Sequence, residues 1–373
     1  MIPVNRPVIL PTDIQRVSNA LTETSISGTS PIVLELESAM ESFLDSQHFI
    51  ATSNGTSAID CVVDSLDLSP KSEAIVPSMT IISAVSNLIR SGIPIVVSDV
   101  QENTYMPSPT QMLDLVNKKT KVIIPTHIYG LLFEMEALIS GIQDKKITII
   151  EDAAESFGTT FSDGKQAGSL GSVGVFSFYA NKNITGGEGG GITTNNADLA
   201  DKIRELRNLG FSNTGERFIT TKIGWNARIS GLSAALVLSQ SERVAEVILR
   251  KKQIGSRYKQ NLNGHPWIVT QEDFYNNVEN SYWVFAIVLN DESRLNAVEL
   301  RDLLLSENIE SRRFFYPLHL QPALVRSGLL RKSPAPLVAE KLWERGLYLP
   351  SGPGTLDSEI DIVCEVLWKI AKS

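Results

Sequence analysis

Short runs that are mostly continuously apolar rather than alternating constrain this chain more than any other feature. They fall at residues 74–76, 94–97, 122–125, 147–150 and 173–178. A strand with one wet face alternates apolar and polar residues, so an unbroken apolar run predicts burial on both faces, as in a mostly parallel sheet. Segments of helical period lie between these runs, at 56–66 and 81–91 for example, and are often closed by Gly or Pro. Alternation of this kind predicts an α/β fold built on a doubly wound sheet.

A long helical pattern runs from 229 to 262 and ends in Lys and Arg residues. It exceeds the length of most globular helices, which predicts a bend or break and a link between two domains. Beyond it come a strand at 282–289, a helix at 296–306, a strand near 311–315 and a C-terminal helix from Ser358, enough for a smaller α/β domain. Two domains are the ordinary expectation for 373 residues.

Composition narrows the partners. A net charge of −8 argues against a nucleic-acid binder, which needs a basic stripe to neutralise phosphates. Cys61 and Cys364 lie far apart without a partner motif, which excludes a disulfide framework and a cysteine-ligated zinc site. His48, His127, His265 and His319 lack the i, i+4 pairing of a helical metal site, so no metal is expected. The N-terminus lacks a basic-then-apolar leader and no apolar run approaches a bilayer-spanning length; the expected location is the cytoplasm, with no membrane association.

Three segments carry chemistry. In V-G-V-F-S-F-Y-A-N-K-N-I-T-G-G-E-G-G-G (173–191) a buried strand ends at Ser177, Lys182 follows, and glycines crowd behind it. A lysine after a strand is ordinarily a solvated loop residue. So dense a glycine cluster predicts backbone passing close to a ligand, where a desolvated lysine loses its proton more readily and can form an imine. In I-T-I-I-E-D-A-A-E (147–155) an apolar strand runs into carboxylates at its C-terminal end, the edge where open α/β sheets bind ligands. Asp152 there suits the pyridinium nitrogen of pyridoxal phosphate, and Ala154 is small enough to pack flat on the ring; the ordinary alternative for Asp152 is a helix N-cap. The third segment, A-T-S-N-G-T-S-A (51–58), opens a helical pattern. The N–H groups of Gly55 and Thr56 would form an anion site at a helix N-terminus, or simply a turn and a cap. Together they supply a phosphate cradle, a carboxylate for the ring nitrogen and an imine-forming lysine, in that order along one sheet.

With these segments the sequence resembles the DegT/DnrJ/EryC1/StrS sugar aminotransferases of pyridoxal phosphate fold type I. The matching stretches are S-N-G-T-S-A (53–58), V-P-S-M-T (76–80), P-T-H-I-Y-G (125–130), E-D-A-A-E (151–155), A-G-S-L-G-S-V-G-V-F-S-F-Y-A-N-K-N (167–183), G-W-N-A-R-I-S (224–230), F-Y-P-L-H-L-Q-P (315–322) and R-G-L-Y-L-P-S-G (345–352). The resemblance implies a large cofactor-binding domain over 1–240 with a mostly parallel seven-stranded sheet, and a smaller C-terminal domain over 241–373. It implies that Lys182 holds the cofactor as a Schiff base and then shuttles protons, that Asp152 pairs with the ring nitrogen, and that Glu155 lies near the ring hydroxyl. Gly55, Thr56 and Ser177 are implied as phosphate ligands, joined by Asn226 from the second subunit of a homodimer. His319 and Arg228 are implied substrate contacts. Ile81 is a departure, because many relatives carry there an aromatic residue that stacks on the ring.

The stretches N-K-N-I-T-G-G-E-G-G, E-D-A-A-E and R-G-L-Y-L-P-S-G are most similar to the branch that includes perosamine synthases. That branch implies transfer of an amino group from L-glutamate to carbon four of a nucleotide-linked 4-keto-6-deoxyhexose. Overall similarity to dTDP-4-amino-4,6-dideoxyglucose transaminases makes dTDP the favoured nucleotide, for O-antigen and lipopolysaccharide synthesis. The alternatives are a carbon-three aminotransferase or a GDP-linked perosamine-type synthase. Further off stand a 3-dehydratase, whose relatives carry His in place of the lysine, and a non-catalytic sensor, which would be expected to have lost the lysine, the aspartate or the phosphate loop.

Overall fold

The computed structural model describes residues 1–143, 145–212, 218–220 and 222–372. The apolar runs become strands of one sheet: β1 (His48–Thr52), β2 (Glu73–Pro77), β3 (Ile95–Ser98), β4 (Thr120–Ile123), β5 (Thr148–Asp152), β6 (Val173–Ser177) and β7 (Gly190–Thr194). Their order is β1-β7-β6-β5-β4-β2-β3. The pairs β2–β3, β2–β4, β4–β5 and β5–β6 are parallel, while β7 runs antiparallel to both β6 and β1. Strands β2, β3 and β7 are buried at every position, as expected for a sheet covered on both faces.

Two strands of this sheet, β1 and β7, escaped the sequence reading, and β7 shows why. Its glycines suggest a loop against a ligand, yet what comes close is protein. A Cβ on Gly190 would lie 2.5 Å from the carbonyl carbon of Asn54, and one on Gly191 would lie 2.0 Å from the Phe49 ring. Glycine therefore lets β7 slot between β6 and β1 against the start of helix Gly55–Ser65.

The long helical pattern breaks into helices Gly231–Ser241 and Val244–Leu262. At the break Arg243 donates to both carboxylate oxygens of Asp13 (3.0 and 2.7 Å) and to the Val8 carbonyl (3.1 Å), and Ser239 also donates to Asp13 (2.7 Å). Asp13 is fully buried, so this pairing fixes the break where helix propensity alone would continue.

After the second helix comes a four-stranded antiparallel sheet of β8 (Ile268–Thr270), β11 (Phe285–Leu289), β12 (Arg312–Arg313) and β13 (Gly346–Leu349), in the order β12-β13-β11-β8. A short hairpin, β9 (Phe274–Tyr275) and β10 (Val278–Glu279), precedes β11. Tyr258 stacks on Phe285 at 4.6 Å between centroids and donates its hydroxyl hydrogen to Pro350 O (2.8 Å), which seats helix Val244–Leu262 on this sheet. The chain's own start joins it: Ile2 N–H donates to Asn308 O (2.8 Å), and Arg6 forks onto Glu359 (2.8 and 2.7 Å). No described helix is long and apolar enough to cross a membrane.

Candidate active site

The C-terminal ends of β1, β2, β5 and β6 converge on one cavity of about 620 Å³, at the edge where sheets of this kind bind ligands. Gly55, Thr56, Asp152 and Ser177 line it, together with Ile81, Ala154, Glu155 and Lys182. The sequence reading brought these residues to one site, and the structure places them there.

Helix Gly55–Ser65 starts at the cavity because Asn54 caps it, accepting the Ser57 N–H at 2.8 Å. Its first turn presses on β6: a Cβ on Gly55 would lie 3.1 Å from the Ser177 Cβ and 3.2 Å from Phe176 O. The helix N-terminus and the Ser177 hydroxyl thereby share one corner, a concentration of donors and positive dipole that suits a phosphate.

Strand β5 ends in two adjacent carboxylates that face opposite ways. Glu151 is buried and accepts N–H bonds from Gly168 (2.7 Å), Leu170 (2.8 Å) and Gly171 (2.7 Å). His127 Nε2 lies 2.9 Å from it, and since His127 Nδ1 accepts the Phe133 N–H (2.9 Å), Nε2 carries the hydrogen. Asp152 faces the cavity. Its side chain accepts one backbone bond, from Ala154 N–H at 3.2 Å, and a run of turns rather than a helix follows, so it caps nothing.

Burial dominates the electrostatics. It pushes the Asp152 carboxyl above the ordinary range, against the opposing pull of the Ala154 N–H and of Lys182. Burial likewise raises Glu155, which accepts the Tyr129 N–H at 3.0 Å, and it lowers the Lys182 amine against the pull of both carboxylates. A buried carboxyl without enough cation beside it is the partner a protonated ring nitrogen calls for. Among the described residues, the Thr80 and Thr126 hydroxyls and the Asn181 side-chain oxygen on the cavity wall are buried without a partner. With the phosphate corner, these groups fit pyridoxal phosphate: a cradle, an uncompensated acid, a weakened lysine ammonium and spare polar atoms.

Asn226, Arg228 and His319 do not line this cavity. Arg228 donates to Asn226 Oδ1 (2.8 Å) and to Asn208. His319, in the 3-10 turn Leu318–Leu320, is held between the Ser78 hydroxyl (2.9 Å) and Glu340 (3.0 Å). The opposite wall comes from the smaller sheet and was missed: Trp283, Arg312, Phe315 and Tyr348. Phe315 and Tyr348 fall inside the F-Y-P-L-H-L-Q-P and R-G-L-Y-L-P-S-G stretches, a usable signal. Trp283 and Arg312 carried none, because each reads as one residue of a short strand.

Fold and site define a pyridoxal phosphate-dependent enzyme of fold type I. The model of the DegT/DnrJ/EryC1/StrS aminotransferase family matches residues 8–368, and the chain belongs to that family as a pyridoxal phosphate-dependent sugar aminotransferase. It is 32% identical over 367 residues to a GDP-perosamine synthase of Vibrio cholerae, covering 98% of each chain. Among solved structures it is similar to the aminotransferase TlmJ of Streptoalloteichus hindustanus (TM-score 0.91, 22% identity, 99% of this chain and 98% of that one). It is similar also to an E. coli GDP-4-keto-6-deoxy-D-mannose-3-dehydratase (TM-score 0.90, 21% identity, 98% and 99%). An aminotransferase and a dehydratase match equally well, so backbone shape alone does not choose the reaction.

Proposed function

We propose that this enzyme moves the amino group of L-glutamate onto carbon four of a GDP-linked 4-keto-6-deoxyhexose. The observation that carries the reaction type is Lys182 on the cavity wall with Asp152 and Glu155, where dehydratase relatives carry histidine. Full-length similarity to GDP-perosamine synthase supports GDP as the nucleotide, in place of the dTDP expected from overall resemblance.

The cofactor, when bound, supplies a carbonyl that condenses with amines and a ring that takes up the electron pair left by a departing α-proton. Gly55, Thr56 and Ser177 would hold its phosphate, Asp152 would keep its ring nitrogen protonated, and Ile81 and Ala154 would supply apolar contact to it. Lys182 Nζ would take the α-proton of glutamate and hold it for return, water would release 2-oxoglutarate, and the keto-sugar would then run the sequence in reverse and leave as the amino sugar. Arg90 and Arg312 give the cavity wall the positive charge that glutamate carboxylates and a sugar diphosphate both need. Asn226 of a second copy completes the phosphate site in a homodimer. Exposed Ile219, Ile223 and Trp225 beside it support packing of that segment against another chain.

The test is incubation with glutamate and a panel of GDP-, dTDP- and UDP-linked 4-keto-6-deoxy sugars, with products identified by NMR. A 4-amino sugar from the GDP substrate is expected. Amination at carbon three, or preference for dTDP, replaces the substrate assignment, and a 3-deoxy product without amine replaces the reaction.

A further inference from the structure

Trp283 touches the reactive loop in two ways at once. Its indole N–H donates to Asn181 O at 3.0 Å, gripping the residue just before Lys182. Its ring face lies over Lys182 Nζ, 4.0 Å from the centroid. The side chain is buried, and Tyr129 stacks against it at 6.2 Å with 26° between planes. Its backbone is pinned as well. Lys251, 2% exposed on helix Val244–Leu262, donates to Trp283 O (2.6 Å) and to Ser351 O.

Both interactions cross from the smaller sheet to the loop after β6. An aromatic face attracts an ammonium and offers nothing comparable to a neutral amine. The other groups facing Nζ are Asp152 at the end of β5 and Glu155 in the following turn, with Arg312 and Tyr348 elsewhere on the same wall. Lys182 is uncharged when it attacks a carbonyl and charged after it takes a proton, so whatever favours one form sets the balance between the two steps.

We propose that Trp283 is a positioning residue for Lys182: it aims the amine through Asn181 O and steadies its protonated form through the ring face, with Lys251 holding the indole in register. The inference rests on Lys182 being the reactive amine.

The test is competitive labelling of the full-length, cofactor-free protein with acetic anhydride from neutral to alkaline pH, following Lys182 by peptide mass spectrometry. Trp283→Leu and Trp283→Met both remove the ring, so the result does not hang on one variant folding; Trp283→Phe keeps a face and loses the N–H. Losing the face favours the neutral amine, so the midpoint in the ring-less variants should fall by roughly one pH unit. Trp283→Phe should recover most of that fall. A midpoint that stays or rises without the ring overturns the inference, as does Phe behaving like Leu. A separate arm keeps the premise distinct: pyridoxal phosphate and borohydride should tag Lys182 in the unmodified protein, and tagging elsewhere overturns the reading of Lys182 itself.

Discussion

Glu151 and Asp152 are neighbours on β5, yet the region beneath one and the cavity above the other treat a carboxylate in opposite ways. Beneath the sheet, Glu151 meets three backbone N–H groups of the 168–171 loop and the His127 imidazole, and it is buried with its acceptor capacity used. On the cavity side Asp152 has one such bond and a shared lysine, and burial lifts its pKa. One carboxylate organises the protein, while the other is left short of partners, as the proposed pairing with the cofactor's ring nitrogen requires. Saturation marks structure and shortage marks function, because a buried charge is tolerated only where something pairs with it.

The largest effect that can break this contrast comes from Lys182→Ala. It should abolish turnover and the absorbance of the lysine-bound cofactor, read by spectrophotometry and product assay; turnover near the unmodified level would end the assignment. Asp152→Asn keeps the shape and removes the charge. It should lower kcat by about 10²–10³-fold with little change in the urea midpoint. Glu151→Gln should do the reverse, because an amide N–H is forced against backbone N–H donors. About 2–4 kcal/mol of stability should be lost in urea unfolding, with kcat per folded molecule changing little. Equal behaviour of the two variants would erase the distinction between the two regions.

The smallest effect concerns pH. Asp152 and Glu155 have folded-state pKa values raised above their ordinary ones, so between the two the folded protein binds more protons than the unfolded chain. Their contribution to stability is therefore lost as pH rises from the ordinary carboxylate range through the raised values. The cofactor-free protein should melt a few degrees lower at neutral than at mildly acidic pH, and Glu155→Gln should flatten that slope.

Much of the site was legible because it is local. Asp152 ends an apolar strand, Gly55 and Thr56 open a capped helix, and Lys182 follows a strand end, each within a stretch that short-range patterns describe. The antiparallel β7 was not legible, since its glycines answer to Asn54 and Phe49, far away along the chain. That the long helical pattern breaks was legible from its length, but the place of the break was not: Arg243 is held there by Asp13, more than two hundred residues earlier. Trp283, Arg312 and the resting place of His319 likewise depend on how the smaller sheet meets the larger one.

Lys182 is where the two kinds of information separate. Sequence alone determined that a lysine follows a buried strand, that a carboxylate ends the neighbouring one, and that a capped helix opens at Gly55, because strand ends and caps are set by residues within a few positions. Tertiary structure decided which carboxylate of the Glu-Asp pair faces the cavity with unmet capacity. It also decided that an indole from the smaller sheet lies over the amine. Those choices depend on desolvation and on contacts between distant segments, which exist only once the chain has closed on itself.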